Sequence, residues 1–172
     1  MNRKPASSLT APGATGKSGF ALSLKGRALR LLSGREQSRA ELERKLSAHE
    51  EVPGQLAAVL DELEAKDFIS QARVVDSVIN RRQAKLGASR IKSELQRKGI
   101  DAEAVTEAMD GLKATELERA REVWRKKFNN KIDAASIDKL SPTDKAKQMR
   151  FLAARGFGSD AIRRVVARTD ED

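Results

Sequence analysis

One segment of this chain is written three times, and that repetition limits what it can fold into. Each copy has a basic amphipathic stretch, a short turn and a second apolar stripe. In the second copy Ile91 and Leu95 lead to Gly99-Ile100, then Ala104, Val105 and Ala108. In the third, Leu152 leads to Gly156-Phe157, then Ala161, Ile162 and Val165. In the first, Leu42 and Leu46 lead to Glu50-Glu51, then Gln55, Leu56 and Val59. Leu46 and Leu95 stand 49 positions apart, and Leu95 and Leu152 stand 57 apart. A period of this length predicts an array of small helical units, each needing its neighbour to cover its apolar face. Such arrays commonly serve as surfaces for large partners.

No segment alternates apolar and polar residues with period two, so no strands are expected and the chain reads as all-α. Residues 1–23, rich in Ser, Ala, Gly, Thr and Pro, read as a flexible tail. Three triplets of helices follow, over 24–69, 70–112 and 113–168. A polar loop at 129–141 lies inside the last triplet, and 169–172 form an acidic tail. The stop and start signals are local. Ser38-Arg39-Ala40-Glu41 and Thr115-Glu116-Leu117-Glu118 read as capping boxes. Ser89, Asp101 and Ser159 read as caps, the second unit opens near Ser70, Ser141-Pro142 reads as a cap with Pro in the first turn, and Pro53 as the first residue of a helix. Gly34, Gly87, Gly99 and Gly156 read as stops.

Charged residues are 34% of the chain, against roughly 25% in an ordinary domain. The balance is +9, which points to a polyanionic partner. Rings are 3% of residues, too few for base stacking, so phosphate contact with little base readout is expected. The absence of cysteine excludes disulfides, thiolate catalysis and Cys-based metal sites, and fits a reducing cytoplasm. No apolar run approaches the roughly 20 residues that span a bilayer, and no secretory signal is visible.

Little here carries bond-making chemistry. Ala11-Pro12-Gly13-Ala14-Thr15-Gly16-Lys17-Ser18 resembles a relaxed phosphate-binding loop, but no strand delivers it and no parallel sheet follows. His49, the only histidine, reads as a helix-end residue. The carboxylates fall among Lys and Arg at helical spacing, as ion pairs do. No enzyme, cofactor or metal is expected. The candidate binding residues are basic: Arg81, Arg82, Lys85, Arg90, Arg97 and Lys98 in the second unit, and Arg125, Lys126, Lys127, Arg150, Arg155, Arg163 and Arg164 in the third. Consecutive cations splay around a helix and suit a broad or curved anion better than a pocket.

Several segments taken together resemble the RecX family. They are Ser38-Arg39-Ala40-Glu41-Leu42-Glu43-Arg44-Lys45-Leu46, Val59-Leu60-Asp61-Glu62-Leu63, Gly87-Ala88-Ser89-Arg90-Ile91-Lys92-Ser93-Glu94-Leu95 with Lys98-Gly99, Arg125-Lys126-Lys127-Phe128, and Lys147-Gln148-Met149-Arg150-Phe151-Leu152-Ala153-Ala154-Arg155-Gly156-Phe157. The resemblance runs from about Leu24 to Val166. It implies tandem three-helix repeats in an elongated, curved molecule, and a monomer is expected. It implies binding along the groove of a RecA–DNA filament, touching single- and double-stranded DNA, with suppression of ATPase, strand-exchange and co-protease activity in DNA repair and the SOS response. The chain departs from the family at Glu50, at Ser70-Gln71-Ala72-Arg73 where acidic residues are usual, and at Val74 and Val78 where aromatic residues often stand. A helix-turn-helix transcription factor, or a general nucleic-acid-binding protein without a recombinase partner, would share much of this pattern.

Overall fold

A computed structural model describes residues 22–128 and 141–167. Most of the expected tail, the phosphate-loop-like segment, the acidic tail and nearly all of the expected internal loop lie outside the described residues, while Ser23, inside that tail, caps α1. Among the described residues there are α-helices and one short 3-10 helix, and no strand. The helices are α1 (Leu24–Gly34), α2 (Arg39–Leu46), α3 (Gln55–Ala65), α4 (Gln71–Arg82), α5 (Ala88–Arg97), α6 (Ala102–Ala114), α7 (Glu116–Phe128), α8 (Pro142–Ala153) and α9 (Ser159–Ala167), with the 3-10 turn Ser47–His49 after α2. They group in threes as the repeat requires.

Each triplet closes its own core. Leu24, Ala28, Leu42, Leu46, Leu56, Leu60, Leu63 and Ile69 pack together in the first unit. Val74, Val75, Val78, Ile91, Leu95, Ile100, Val105, Met109 and Leu112 fill the second. Ala120, Val123, Trp124, Phe128, Leu152, Phe157, Ile162, Val165 and Val166 fill the third. A fully buried Leu or Val is worth roughly 2 kcal/mol, so eight to ten such side chains give each triplet a nucleus of its own. This corrects the expectation that a unit needs its neighbour to cover its apolar face: the cores are separate, and the joints between them are polar.

The repeat is exact in its middle helices. Leu42, Ile91 and Gln148 hold one buried position, and Leu46, Leu95 and Leu152 hold the next. Gln148 is polar where its counterparts are aliphatic. Its carbonyl oxygen accepts from the Trp124 indole N–H at 2.8 Å, and this satisfies both buried groups. Trp124 also neighbours Phe128, and Phe128 meets Phe151 edge-on at 5.1 Å.

Two middle helices end in the same motif. The amide of Ile100 returns to the Leu95 carbonyl and that of Gly99 to Gln96; Phe157 returns to Leu152 and Gly156 to Ala153 in the same pattern. Such Schellman turns place a left-handed residue after the helix, and Gly99 (φ 72°) and Gly156 (φ 84°) supply it. The third helix of the first unit closes likewise, with Asp67 at φ 57°. Helix α2 instead runs into the 3-10 turn, where Glu50 occupies the place of the two glycines.

The caps at Ser38, Asp101 and Ser141 form as expected, Ser70 also caps α4, and Ser38 with Glu41 makes a complete capping box. Five local expectations fail. Pro53 lies in the turn before α3, and left-handed Gly54 precedes the helix. Gly87 precedes α5 and Ser89 lies inside it; Ser159 is the first residue of α9. The Thr115 hydroxyl faces the Leu112 carbonyl and the Arg119 guanidinium, and Glu118 pairs with Arg121, so no capping box forms there. The starts of α5 and α9 are met by groups distant in sequence, whereas Val52 and Glu50, just before α3, meet its first amides.

Candidate nucleic-acid interface

The units meet end to end through their middle helices. The turn after α5 lies on the N-terminus of α2. The turn after α8 lies on the N-terminus of α5. A Cβ added to Gly99 would stand 2.7 Å from the Ala40 Cβ, and one added to Gly156 would stand 2.5 Å from the Arg90 Cγ and 2.7 Å from its backbone nitrogen. Glycine is therefore needed twice over at these turns, for its dihedral and for the close approach.

The first joint is closed by charge. The Ser38 hydroxyl donates to the Lys98 carbonyl. The Lys98 ammonium sits 2.8 Å from Glu41, and Arg35 holds the same carboxylate oxygen at 2.9 Å. The Ser38 amide donates to the other oxygen at 3.1 Å. Burial pushes the Glu41 pKa up, but hydrogen bonds from Arg35, Lys98 and the Ser38 backbone outweigh it and hold the group at about 2. Arg73 adds a second clasp, bonded to Glu36 at 3.1 Å and to Asp67 at 2.8 Å.

The second joint is closed by backbone. Gly87 donates its amide to the Arg155 carbonyl at 2.9 Å, and Ser89 donates to the Gly156 carbonyl at 3.2 Å. One Glu116 oxygen accepts from the amides of Ala88 (3.1 Å) and Gly158 (3.3 Å). Helix α5 needs no cap of its own because the third unit satisfies its first amides. Arg119 reaches from α7 to the carbonyls of Leu86 and Leu112, both at 2.8 Å, and its burial lowers its pKa.

The candidate cations fall into distinct surroundings. Lys98 is buried in the first joint and is taken up by Glu41. Arg82 is paired with Glu94 at 2.8 Å, Lys126 with Glu122 at 3.4 Å and Arg163 with Asp160 at 3.3 Å. Arg81 and Arg97 are exposed and bond only backbone carbonyls, those of Ser77 and Ser93. Lys85, Arg90, Arg125, Lys127, Arg150 and Arg164 are exposed and have no carboxylate partner among the described residues. Arg155 is half-buried with its guanidinium 3.6 Å from the centre of the Phe151 ring. The structure brings Arg90 and Arg155 to one joint and sets Arg90 and Arg97 on the outward face of α5, opposite Ile91 and Leu95. Arg81, Arg82 and Lys85 gather at the end of α4, and Arg125 to Lys127 at the end of α7.

Reading for consecutive cations overlooked Lys147, exposed on α8 at the position equivalent to Arg90, and the joint-forming Glu41, Glu116 and Arg119. Aligning the copies on Leu46, Leu95 and Leu152 would have placed Glu41, Arg90 and Lys147 in one column. Charge is also divided unevenly. Over 24–69 there are 8 Lys and Arg against 9 Asp and Glu; over 70–112, 8 against 6; over 113–168, 15 against 7. The first unit neutralises itself. Arg39 bonds Asp61, Glu64 and Glu43, which raises its pKa, and Glu62 between Lys25 and Lys66 is held at about 2.

Among the described residues no cluster of His, Asp and Glu could hold a metal, and no helix is long and apolar enough to cross a membrane. His49 is exposed at the end of the 3-10 turn.

Family models for the first, second and third three-helix domains of RecX match residues 25–63, 70–109 and 114–166. The Regulatory protein RecX of Leptothrix cholodnii is 48% identical over 151 residues, 88% of this chain and 92% of the relative. That of Herminiimonas arsenicoxydans is 45% identical, covering 88% and 95%. The crystal structure of RecX from Lactobacillus salivarius superposes with a TM-score of 0.68 over 86% of this chain and 94% of the other, at 23% identity. Three triplets in the family's order, on a scaffold of the same fold and beside relatives of nearly equal length, place this chain in the RecX family of regulatory proteins.

Proposed function

We propose that the chain binds along a RecA–DNA filament and lowers its ATPase, strand-exchange and co-protease activities. It acts as a cytoplasmic monomer that touches DNA through phosphates and makes no covalent change. The observation that carries this reading is the end-to-end row of middle helices, whose outward faces in the second and third units hold cations without carboxylate partners. A row of units can follow a helical groove over several subunits, and cations along it favour the phosphates inside. A body seated across subunits opposes the motions that accompany ATP turnover.

A sequence-reading transcription factor fits less well. In a helix-turn-helix the later helix enters the major groove. Here the third helices of the first two units are acidic: α3 carries Asp61, Glu62 and Glu64 with no cation, and α6 carries Glu103, Glu107 and Asp110 against Lys113. Phosphates would repel both. The test is ATP hydrolysis by the recombinase on single-stranded DNA. Stoichiometric protein is expected to slow it and to shorten the filaments; an unchanged rate and filament length would remove the proposal.

A further inference from the structure

The two joints are built on one plan, with one charge reversed. In each, a cation at the end of a middle helix lies over the N-terminus of the preceding one. In the first joint Lys98 meets Glu41, and the pair is closed. In the second the equivalent cation is Arg155, and the equivalent of Glu41 is Arg90. The Arg90 stem lies against Gly156, beside Arg155 in the chain. Two arginines therefore stand at the positions that in the other joint hold an ion pair.

The nearby carboxylates do not relieve this. Glu116 is engaged by the amides of Ala88 and Gly158, and Glu94 by Arg82. Arg155 turns onto the Phe151 ring and bonds the Phe151 carbonyl at 3.3 Å. Arg90 is exposed with no partner among the described residues. Arg97 follows about two turns along α5, and on α8 exposed Lys147 and Arg150 occupy the positions equivalent to Arg90 and Ser93.

We propose that the joint between the second and third units is a seat for a DNA backbone phosphate, with Arg90 as its principal ligand and Arg155 as its second. The first joint, closed by Glu41, takes no phosphate. Guanidinium is suited to this, since its planar fork matches phosphate oxygens and is always charged. The row of Lys147, Arg150 and Arg97 extends the contact to neighbouring phosphates. The inference rests on the preceding reading only in taking DNA as the polyanion, and it assigns the DNA contact to one joint of two.

The decisive variant is Arg90→Glu in the full chain. It rebuilds the first joint's ion pair in the second, so the fold is expected to melt no lower than the parent. Binding to a fluorescent oligo-dT is followed by anisotropy over a salt series, without recombinase. Arg90→Glu is expected to weaken binding about 10-fold or more at low salt and to flatten the logarithmic salt dependence by about one to two counterions. Arg90→Gln, which carries no new charge, is expected to flatten it by about one. Arg44→Glu, on α2 in the first unit, makes the same two-unit change in net charge and is expected to weaken binding less than about 3-fold. If Arg90→Glu and Arg44→Glu lose affinity equally, or if Arg90→Gln leaves the salt dependence unchanged, the seat does not exist. Because the assay holds DNA alone, a failed ATPase test would remove the filament reading without touching this one.

Discussion

The two joints of this chain perform one structural task with different chemistry. At the first, α2 caps itself through Ser38 and Glu41, and the next unit adds a buried ion pair. At the second, α5 has no cap of its own, and the next unit's carbonyls and Glu116 complete it. A helix end finished by a neighbour ties that neighbour in place. A self-capped helix needs charge to do so. The second joint should therefore be the more sensitive to changes of shape, and the first the more sensitive to pH and salt.

The largest effect is expected from shape at the second joint. A methyl group at Gly87 would run into the backbone of Gly156 and Phe157, which cannot rotate away. Gly87→Ala should cost about 3 kcal/mol or more, read as a lowered urea midpoint. Next comes charge at the first joint. Lys98→Met leaves a buried carboxylate with Arg35 as its one cation and should cost about 2 kcal/mol, short of the ~3–5 kcal/mol for a fully orphaned charge.

Acid sharpens the contrast. Glu41 has a folded pKa of about 2, below the ordinary 4.5, so its contribution is complete above pH 4.5 and drains away as pH falls toward 2. Stability measured across that window should fall, and Glu41→Gln should remove the Glu41 part of the slope. If the slope is unchanged in Glu41→Gln, the first joint is not held by this charge. The smallest effects separate two serines that look alike in sequence. Ser38→Ala should cost about 1 kcal/mol, since its hydroxyl caps α2 and bonds the Lys98 carbonyl. Ser89→Ala should stay within about 0.5 kcal/mol, because Ser89 lies inside α5 and caps nothing.

What could be read from the sequence was whatever depends on neighbours along the chain. Apolar spacing located the cores, and Ser38, Ser70, Asp101 and Ser141 located helix starts, because each cap is complete within four residues. Gly87 could not be read as a cap position, because its partner Arg155 is remote in sequence and leaves no local trace. Gln148 hid for the same reason: a buried amide looks polar until Trp124 is placed beside it. The basic residues announced an anionic partner. Composition could not separate Lys98, buried against Glu41, from Arg90, exposed at the matching joint. That distinction depends on which copy docks on which.

Glu50 stands where Gly99 and Gly156 allow the other two turns to lie flat against a helix end. A side chain and a 3-10 turn there withhold the landing surface that those glycines offer. A structure assembled by one tail-to-head rule has no inherent length. Residue 50 departs from that rule, so the turn after α2 lacks the flat approach by which the other two turns dock.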